Sequence, residues 1–289
     1  MNLVISFSGG ETSGFMLSKL LSNSAKDYES VSVVMANTGQ ETEETLIFVD
    51  KVDKYFNANV VWLESKQNFG IRKSSDYTIV DFKTADRTGR VFEEMIKNYG
   101  IPNKAYPHCT RELKNEPIKQ WCIDNFGKDY EIAIGIRTDE SNRLPKTNSY
   151  QTVYPLIDGE FDKQDVIQYW ENMPFRLGIE NYQGNCEWCW KKSARKLRLI
   201  AHENRECFNF PMKMEKEQGL SGHNVDGNKR VFFRGNKSTM DILKDQDALM
   251  NEDAVYQYER KLIIDDYNRS PIGGDCSQSC EAFTQESLF

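Results

Sequence analysis

The amino-acid sequence predicts an α/β protein: a parallel sheet domain over residues 1–160, followed by a smaller, mainly helical, cysteine-bearing region over 161–289. Three observations carry this. Compact apolar runs, Leu3–Ile5, Val31–Met35, Val60–Leu63 and Glu131–Ile134, read as strands. Segments with apolar residues three and four apart, Phe15–Leu21 and Glu43–Phe56, lie between the first three and read as helices. Strands alternating with helices predict parallel pairing through right-handed crossovers. Beyond them, helical patterns at Asp162–Pro174, Ser238–Asp245 and Glu252–Asp265 accompany two close cysteine pairs.

The first strand hands the chain to Ser6-Phe7-Ser8-Gly9-Gly10-Glu11-Thr12-Ser13-Gly14. Gly9 and Gly10 allow backbone conformations and close approaches that a side chain blocks. The hydroxyls of Ser6, Ser8, Thr12 and Ser13, with the N–H groups and dipole of a helix start, suit an anion such as phosphate. No lysine lies in the turn, so this is not a Walker A loop. The second strand ends at Asn37-Thr38-Gly39-Gln40-Glu41, at the same carboxyl edge, where such sheets bind ligands. Asn37, Thr38 and Gly39 are placed there to offer backbone and amide groups to a base or ribose. Residues 66–90 have no sustained period and read as a surface segment that orders over substrate, followed by a helix at Phe92–Asn98. In Pro107–Pro117, Cys109 stands beside His108 and is followed by Arg111 and Lys114. Positive neighbours favour a thiolate and can hold sulfate or phosphate.

The order Ser-x-Ser-Gly-Gly-x-x-Ser resembles the pyrophosphate (PP) loop of the adenine nucleotide α-hydrolase-like superfamily, which includes the ATP pyrophosphatases and the phosphoadenylyl-sulfate (PAPS) reductases. Asn37–Glu41 resembles the Asn-Thr-Gly-x-Glu stretch of PAPS-reductase-like proteins, and Cys109–Pro117 their Cys-Thr-x-x-Leu-Lys-x-x-Pro element. Gly135-Ile136-Arg137-Thr138-Asp139-Glu140-Ser141-Asn142-Arg143 resembles their Gly-x-Arg-x-Asp-Glu-Ser-x-x-Arg signature. The resemblance spans the first 155 residues or so. It implies an adenine nucleotide, ATP with Mg²⁺ or alternatively PAPS or adenylyl sulfate, held by Ser6, Ser8, Gly9, Gly10, Thr12, Ser13, Asn37, Thr38, Gly39, Gly135, Arg137 and Arg143. Gly135 lets backbone approach the nucleotide, Arg137 meets phosphate or sulfate, Glu140 orients Arg137, and Arg143 closes from the other side. Cys109, Arg111, Lys114 and Arg137 are the expected catalytic set. Glu11-Thr12 departs from the family's Lys-Asp, so the role of that aspartate does not transfer.

Hydrophobic residues at 39% and charged residues at 28% describe an ordinary soluble chain, and a net charge of −7 argues against a broad nucleic-acid surface. No run approaches membrane-spanning length and no leader precedes the first strand, so a cytoplasmic protein is expected. Seven cysteines in such a compartment point to metal or redox chemistry. Cys186-x-x-Cys189 and Cys276/Cys280 form two close pairs, and a four-thiolate site is the leading expectation. Spacing does not separate zinc from iron–sulfur; the likeness to sulfur-transfer enzymes, including a DNA phosphorothioation component, places [4Fe–4S] ahead of Zn²⁺. Cys122 and Cys207 lack sequence neighbours and fit buried, unligated thiols. The basic segment Lys191–Arg198 reads as a helical face that is solvated or touches phosphate.

Three functions follow from the resemblance. The first is ATP-dependent adenylation of an acceptor in sulfur transfer, nucleic acid being one candidate acceptor. The second is thiol-dependent reduction of adenylyl sulfate, although the chain has Cys280-Glu281-Ala282-Phe283 where true PAPS reductases carry Glu-Cys-Gly. The third is nucleotide binding without turnover.

Overall fold

Six strands, β1 (Asn2–Ser6), β2 (Val31–Asn37), β3 (Val61–Lys66), β4 (Asp76–Val80), β5 (Tyr130–Ala133) and β6 (Thr152–Val153), form one sheet in the order β4-β3-β2-β1-β5-β6. The computed structural model describes residues 1–23, 27–69, 74–145, 151–222, 227–250 and 252–269. All pairings are parallel except β3–β4. Leu3, Val4 and Ile5 of the central β1 are fully buried, as expected of a strand covered on both faces. Helices α1 (Glu11–Asn23) and α2 (Glu43–Phe56) cover one face with Leu3 and Ile5; α3 (Arg90–Tyr99), α4 (His108–Thr110) and α5 (Glu116–Phe126) follow in the chain. Val4 points the other way, into a core with Ile118 and Trp121 of α5.

The chain continues through α6 (Pro155–Asp158) and α7 (Lys163–Glu171) to α8 (Ala194–Glu203), α9 (Asn209–Gln218), α10 (Thr239–Leu249) and α11 (Asp253–Arg269). Local chemistry sets several of these ends. Asp162 and Asp165 build a capping box at α7, Ser238 and Asp241 another at α10, and Thr42 caps α2. Val166, Trp170 and Leu177 belong to the first sheet core, so α7 packs with α1. A separate core joins α8–α11 to α3 through Phe92, Ile96, Trp188, Leu197, Phe208 and Phe232.

Two expectations need correction. Residues 66–90 are not only a surface segment: they contain β4, antiparallel to β3. β4 is an edge strand with one partner, and Ile79 is exposed, so it lacks the buried alternation that marks a strand in sequence. The basic segment is not a solvated helical face throughout, because the helix starts at Ala194 and Lys191 and Lys192 before it are buried. The Lys192 ammonium donates to the Cys186 carbonyl. Among the described residues no helix is long and apolar enough to cross a membrane.

Trp170 ties α7 to the start of α1. It is fully buried, its ring lies 4.9 Å from that of Phe48, and its indole N–H donates to the Glu11 carbonyl at 2.8 Å. Trp170→Ala is expected to cost about 3–5 kcal/mol, from lost contact and the cavity left behind. Urea unfolding checks this; a loss below about 1 kcal/mol would mean that α7 is not part of the sheet core.

Candidate functional site

The turn after β1 is held from three sides. Ser8 and Ser13 bond to each other through their hydroxyls at 2.9 Å, and the Ser13 hydroxyl also donates to the Gly10 carbonyl at 3.0 Å. Gly9 has φ +82°, and a Cβ there would meet Thr45 of α2 at 2.7 Å, so the turn needs glycine on two counts. Ser6, Ser8, Thr12 and Ser13 are all buried. The first-turn N–H groups of α1 have no helical acceptor of their own, which leaves an anion-binding helix start at the sheet's carboxyl edge.

The segment after β5 comes to the same place. A Cβ on Gly135 would stand 3.1 Å from the Ser13 Cα. Arg137 donates from Nη1 to the Thr12 hydroxyl at 2.9 Å and holds Asp139 through Nε and Nη2, each at 2.9 Å. Glu140 sits 3.3 Å from Arg137 and 2.6 Å from Arg143, bridging the two guanidinium groups. Burial alone lowers the pKa of Arg137, but the Asp139 hydrogen bond and the charges of Glu140 and Asp139 outweigh it and raise it.

The turn after β2 is built differently from its sequence expectation. The Asn37 amide is fully buried and donates to Glu64 at 2.8 Å and to the Asp86 carbonyl at 2.9 Å. Gly39, at φ +76°, lies against Asp86. Both shape the turn. Thr38 donates from its N–H and its hydroxyl to Glu41, each at 2.8 Å, and Glu41 faces the Lys114 ammonium at 3.6 Å.

Cys186 and Cys189 dock beside this turn. Asn185, which precedes them, donates from Nδ2 to the Ser8 carbonyl at 2.5 Å, and its own carbonyl accepts from Thr42 N at 2.9 Å. Asn185 is 3% exposed, yet its Oδ1 accepts no hydrogen bond among the described residues. A cavity of about 40 Å³ is lined by Thr38, Glu41, Cys109, Lys114, Cys186 and Cys189, among others. Cys109, Cys122, Cys186, Cys189 and Cys207 form no disulfide. Burial pushes the Cys122 thiol up to about 12 and raises that of Cys207 as well, which suits unreactive packing. Cys276 and Cys280, the other half of the expected thiolate set, lie outside the described residues. Among the described residues no group of three or more His, Cys, Asp or Glu side chains is gathered to hold a metal ion.

The charges around Cys109 are also spoken for. Arg111 donates to Glu112 at 2.7 Å. The His108 Nε2–H donates to the Gly100 carbonyl at 2.9 Å, and burial pushes the imidazole down to about 4, so it carries no charge at neutral pH. Lys114 is the cation that shares the cavity with Cys109. Residues 111–115 form a wide, π-helical turn, a form frequent at functional sites and invisible in composition.

Sequence reasoning missed four side chains here. Arg176 clamps Glu11 through Nε at 3.1 Å and Nη2 at 3.2 Å, and Trp170 bonds the Glu11 backbone. Asn185 fastens the turn, and Lys163 lies buried at the start of α7. Only Asn185 had a signal, its place next to the cysteine pair.

A family model described as the phosphoadenosine phosphosulfate reductase domain matches residues 2–173. An uncharacterized nin region protein, ORF290, of Escherichia phage lambda is 31% identical over 97% of this chain and 94% of its own length. Two uncharacterized proteins of Methanocaldococcus jannaschii are 30% and 26% identical over 53% and 64% of this chain, which spans 26% and 34% of their lengths.

The neutral His108 ring sets a pH dependence. An unfolded imidazole titrates near 6.5, so below that pH the unfolded chain binds a proton that the folded chain refuses. Stability is expected to fall between pH 6.5 and about 4, by up to about 3 kcal/mol from this group. Urea unfolding of the wild type and His108→Gln at pH 7.5 and 4.5 measures it. Coincident pH dependences would show that the ring is not held neutral.

Proposed function

Because this chain belongs to the phosphoadenosine phosphosulfate reductase domain family, we propose that it is an ATP-dependent adenylating enzyme acting in sulfur transfer. The observation that carries this reading is the joining of two motif segments at one sheet margin, through the Thr12–Arg137 hydrogen bond and the close approach of Gly135 to Ser13. A polyphosphate at the helix start would meet main-chain N–H groups, the Thr12 hydroxyl and the Arg137 guanidinium. An acceptor oxygen then attacks the α-phosphorus. The new O–P bond forms as the bond to pyrophosphate breaks, and the electron pair leaves with pyrophosphate. Mg²⁺ carried by the nucleotide neutralises that leaving charge. A sulfur nucleophile next displaces AMP from the adenylated acceptor, and the acceptor oxygen leaves on AMP. Cys186 and Cys189 supply two thiols of the expected four-thiolate set, which do not build a site by themselves.

Reduction of an adenylyl sulfate is the second reading, favoured by the shared cavity of Cys109, Cys186 and Cys189. A thiolate attacks the sulfate sulfur, the bond to the adenylyl oxygen breaks, and AMP (from adenylyl sulfate) or adenosine 3′,5′-bisphosphate (from PAPS) leaves. A second thiol then attacks the first thiol's own sulfur and the bond to the sulfonate breaks, giving a disulfide and sulfite: two thiols are oxidised as sulfate is reduced.

Incubation with ATP, Mg²⁺ and candidate acceptors separates the readings. AMP and pyrophosphate release is expected; sulfite from PAPS or adenylyl sulfate would support reduction, and binding without turnover would leave a silent nucleotide-binding protein. Arg137→Met is expected to weaken ATP binding about 10- to 100-fold, as loss of a charge-assisted contact does. Unchanged affinity measured by calorimetry would remove Arg137 from the site.

A further inference from the structure

Most charged groups beside the loop are matched. Arg137 and Arg143 share Asp139 and Glu140, and Arg176 holds Glu11. Lys163 is different. It is the first residue of α7 and 7% exposed, and among the described residues no carboxylate lies within ion-pair distance of its ammonium. The nearby Asp162 spends its carboxylate on the N–H groups of Gln164 and Asp165.

The Phe161 carbonyl accepts from the Thr138 N–H and hydroxyl, each at 3.0 Å, which brings the start of α7 beside Arg137. Burial and the like charge of Arg137 lower the Lys163 pKa, the charge of Asp139 pulls the other way without outweighing them, and the positive end of the helix dipole adds to the cost of a cation. The partners of Lys163 both come from Tyr267 of α11: Nζ donates to the Tyr267 carbonyl and lies 3.4 Å from the centre of the ring. A carbonyl oxygen and a ring face present negative ends without a full charge. Tyr267 therefore occupies the place of an anion. It also borders a cavity of about 670 Å³ shared with Glu11 and Arg176, so a displaced Tyr267 would open onto room beside the loop.

We propose that Lys163 and Arg137 form a subsite for a tetrahedral oxyanion group, phosphate or sulfate, and that Tyr267 keeps it closed until that group displaces it. The subsite rests on the nucleotide reading only in that the oxyanion belongs to the adenylyl ligand. It supplies cationic charge to a loop, residues 6–14, that contains no lysine or arginine.

Calorimetric titration of the full-length protein with inorganic pyrophosphate, and separately with sulfate, tests it. Lys163→Met is expected to weaken pyrophosphate binding by about tenfold or more, and Lys163→Arg to stay within about threefold of wild type. Tyr267→Ala keeps the lysine and the main-chain carbonyl but removes the ring face over the ammonium, and is expected to bind pyrophosphate about two- to fivefold more tightly. Preference for pyrophosphate over sulfate assigns the subsite to a phosphate; the reverse assigns it to a sulfate. Circular dichroism confirms that each variant is folded. Wild-type affinity in folded Lys163→Met, or no measurable binding of either anion to the wild type, overturns the subsite. Unchanged affinity in Tyr267→Ala overturns the closure. AMP release from ATP, followed separately on the wild type, reports on adenylation: its absence with anion binding intact removes that reading and leaves the subsite standing.

Discussion

The approach of Gly135 to Ser13 is the constraint on which the carboxyl edge depends. β1 pairs in parallel with β2 on one side and β5 on the other, which opens a crevice where the strand order turns. A Cβ at Gly135 would lie 3.1 Å from the Ser13 Cα, closer than side-chain carbons ordinarily come, so a larger residue pushes the two segments apart. The Arg137–Thr12 hydrogen bond at 2.9 Å spans the same two segments. Backbone proximity thus comes first, and the charged contact is built upon it.

Once the segments meet, charge sets orientation more than stability. Arg137 is buried among Asp139, Glu140 and Thr12, so every nitrogen of its fork has a partner. Desolvating such groups offsets much of their attraction, so buried ion pairs are a weak source of folding energy. Their effect here is to fix the plane of the guanidinium before any ligand arrives. A group already oriented loses little entropy when it binds a planar or tetrahedral anion.

The parts legible in sequence were those written in local pattern. β1, β2, β3 and β5 follow apolar runs, and the turn at Ser6–Gly14 and the segment Gly135–Arg143 carry their residues in consecutive order. β4 was not legible, because an edge strand with an exposed Ile79 has no buried alternation to show. Arg176 and Lys163 act through the packing of α7 on α1, and that packing depends on Trp170 filling space over Gly14, more than 150 residues away in the chain. Lys191 and Lys192 look like surface charge until the fold of the cysteine pair buries them. The role of Asn37 within its turn was not legible either: its amide bonds Glu64, which sits on a different strand.

Asn185 shows why the cysteine region and the loop act as one body. Its side chain holds the Ser8 carbonyl and its backbone carbonyl takes the N–H of Thr42, the cap of α2. Gly9 in turn rests on Thr45 and Val49 of α2. The loop, the α2 cap and the Cys186–Cys189 turn are therefore joined in a closed ring of contacts, with no slack for one to shift alone. Cys186 extends the ring by bridging to Glu41, which pairs with Lys114 on the far wall of the thiol-lined cavity. Asn185 is thus the direct physical link between the cysteine turn and the Ser8 carbonyl. A coupling carried by that link acts equally in both directions, because linkage between two sites is reciprocal.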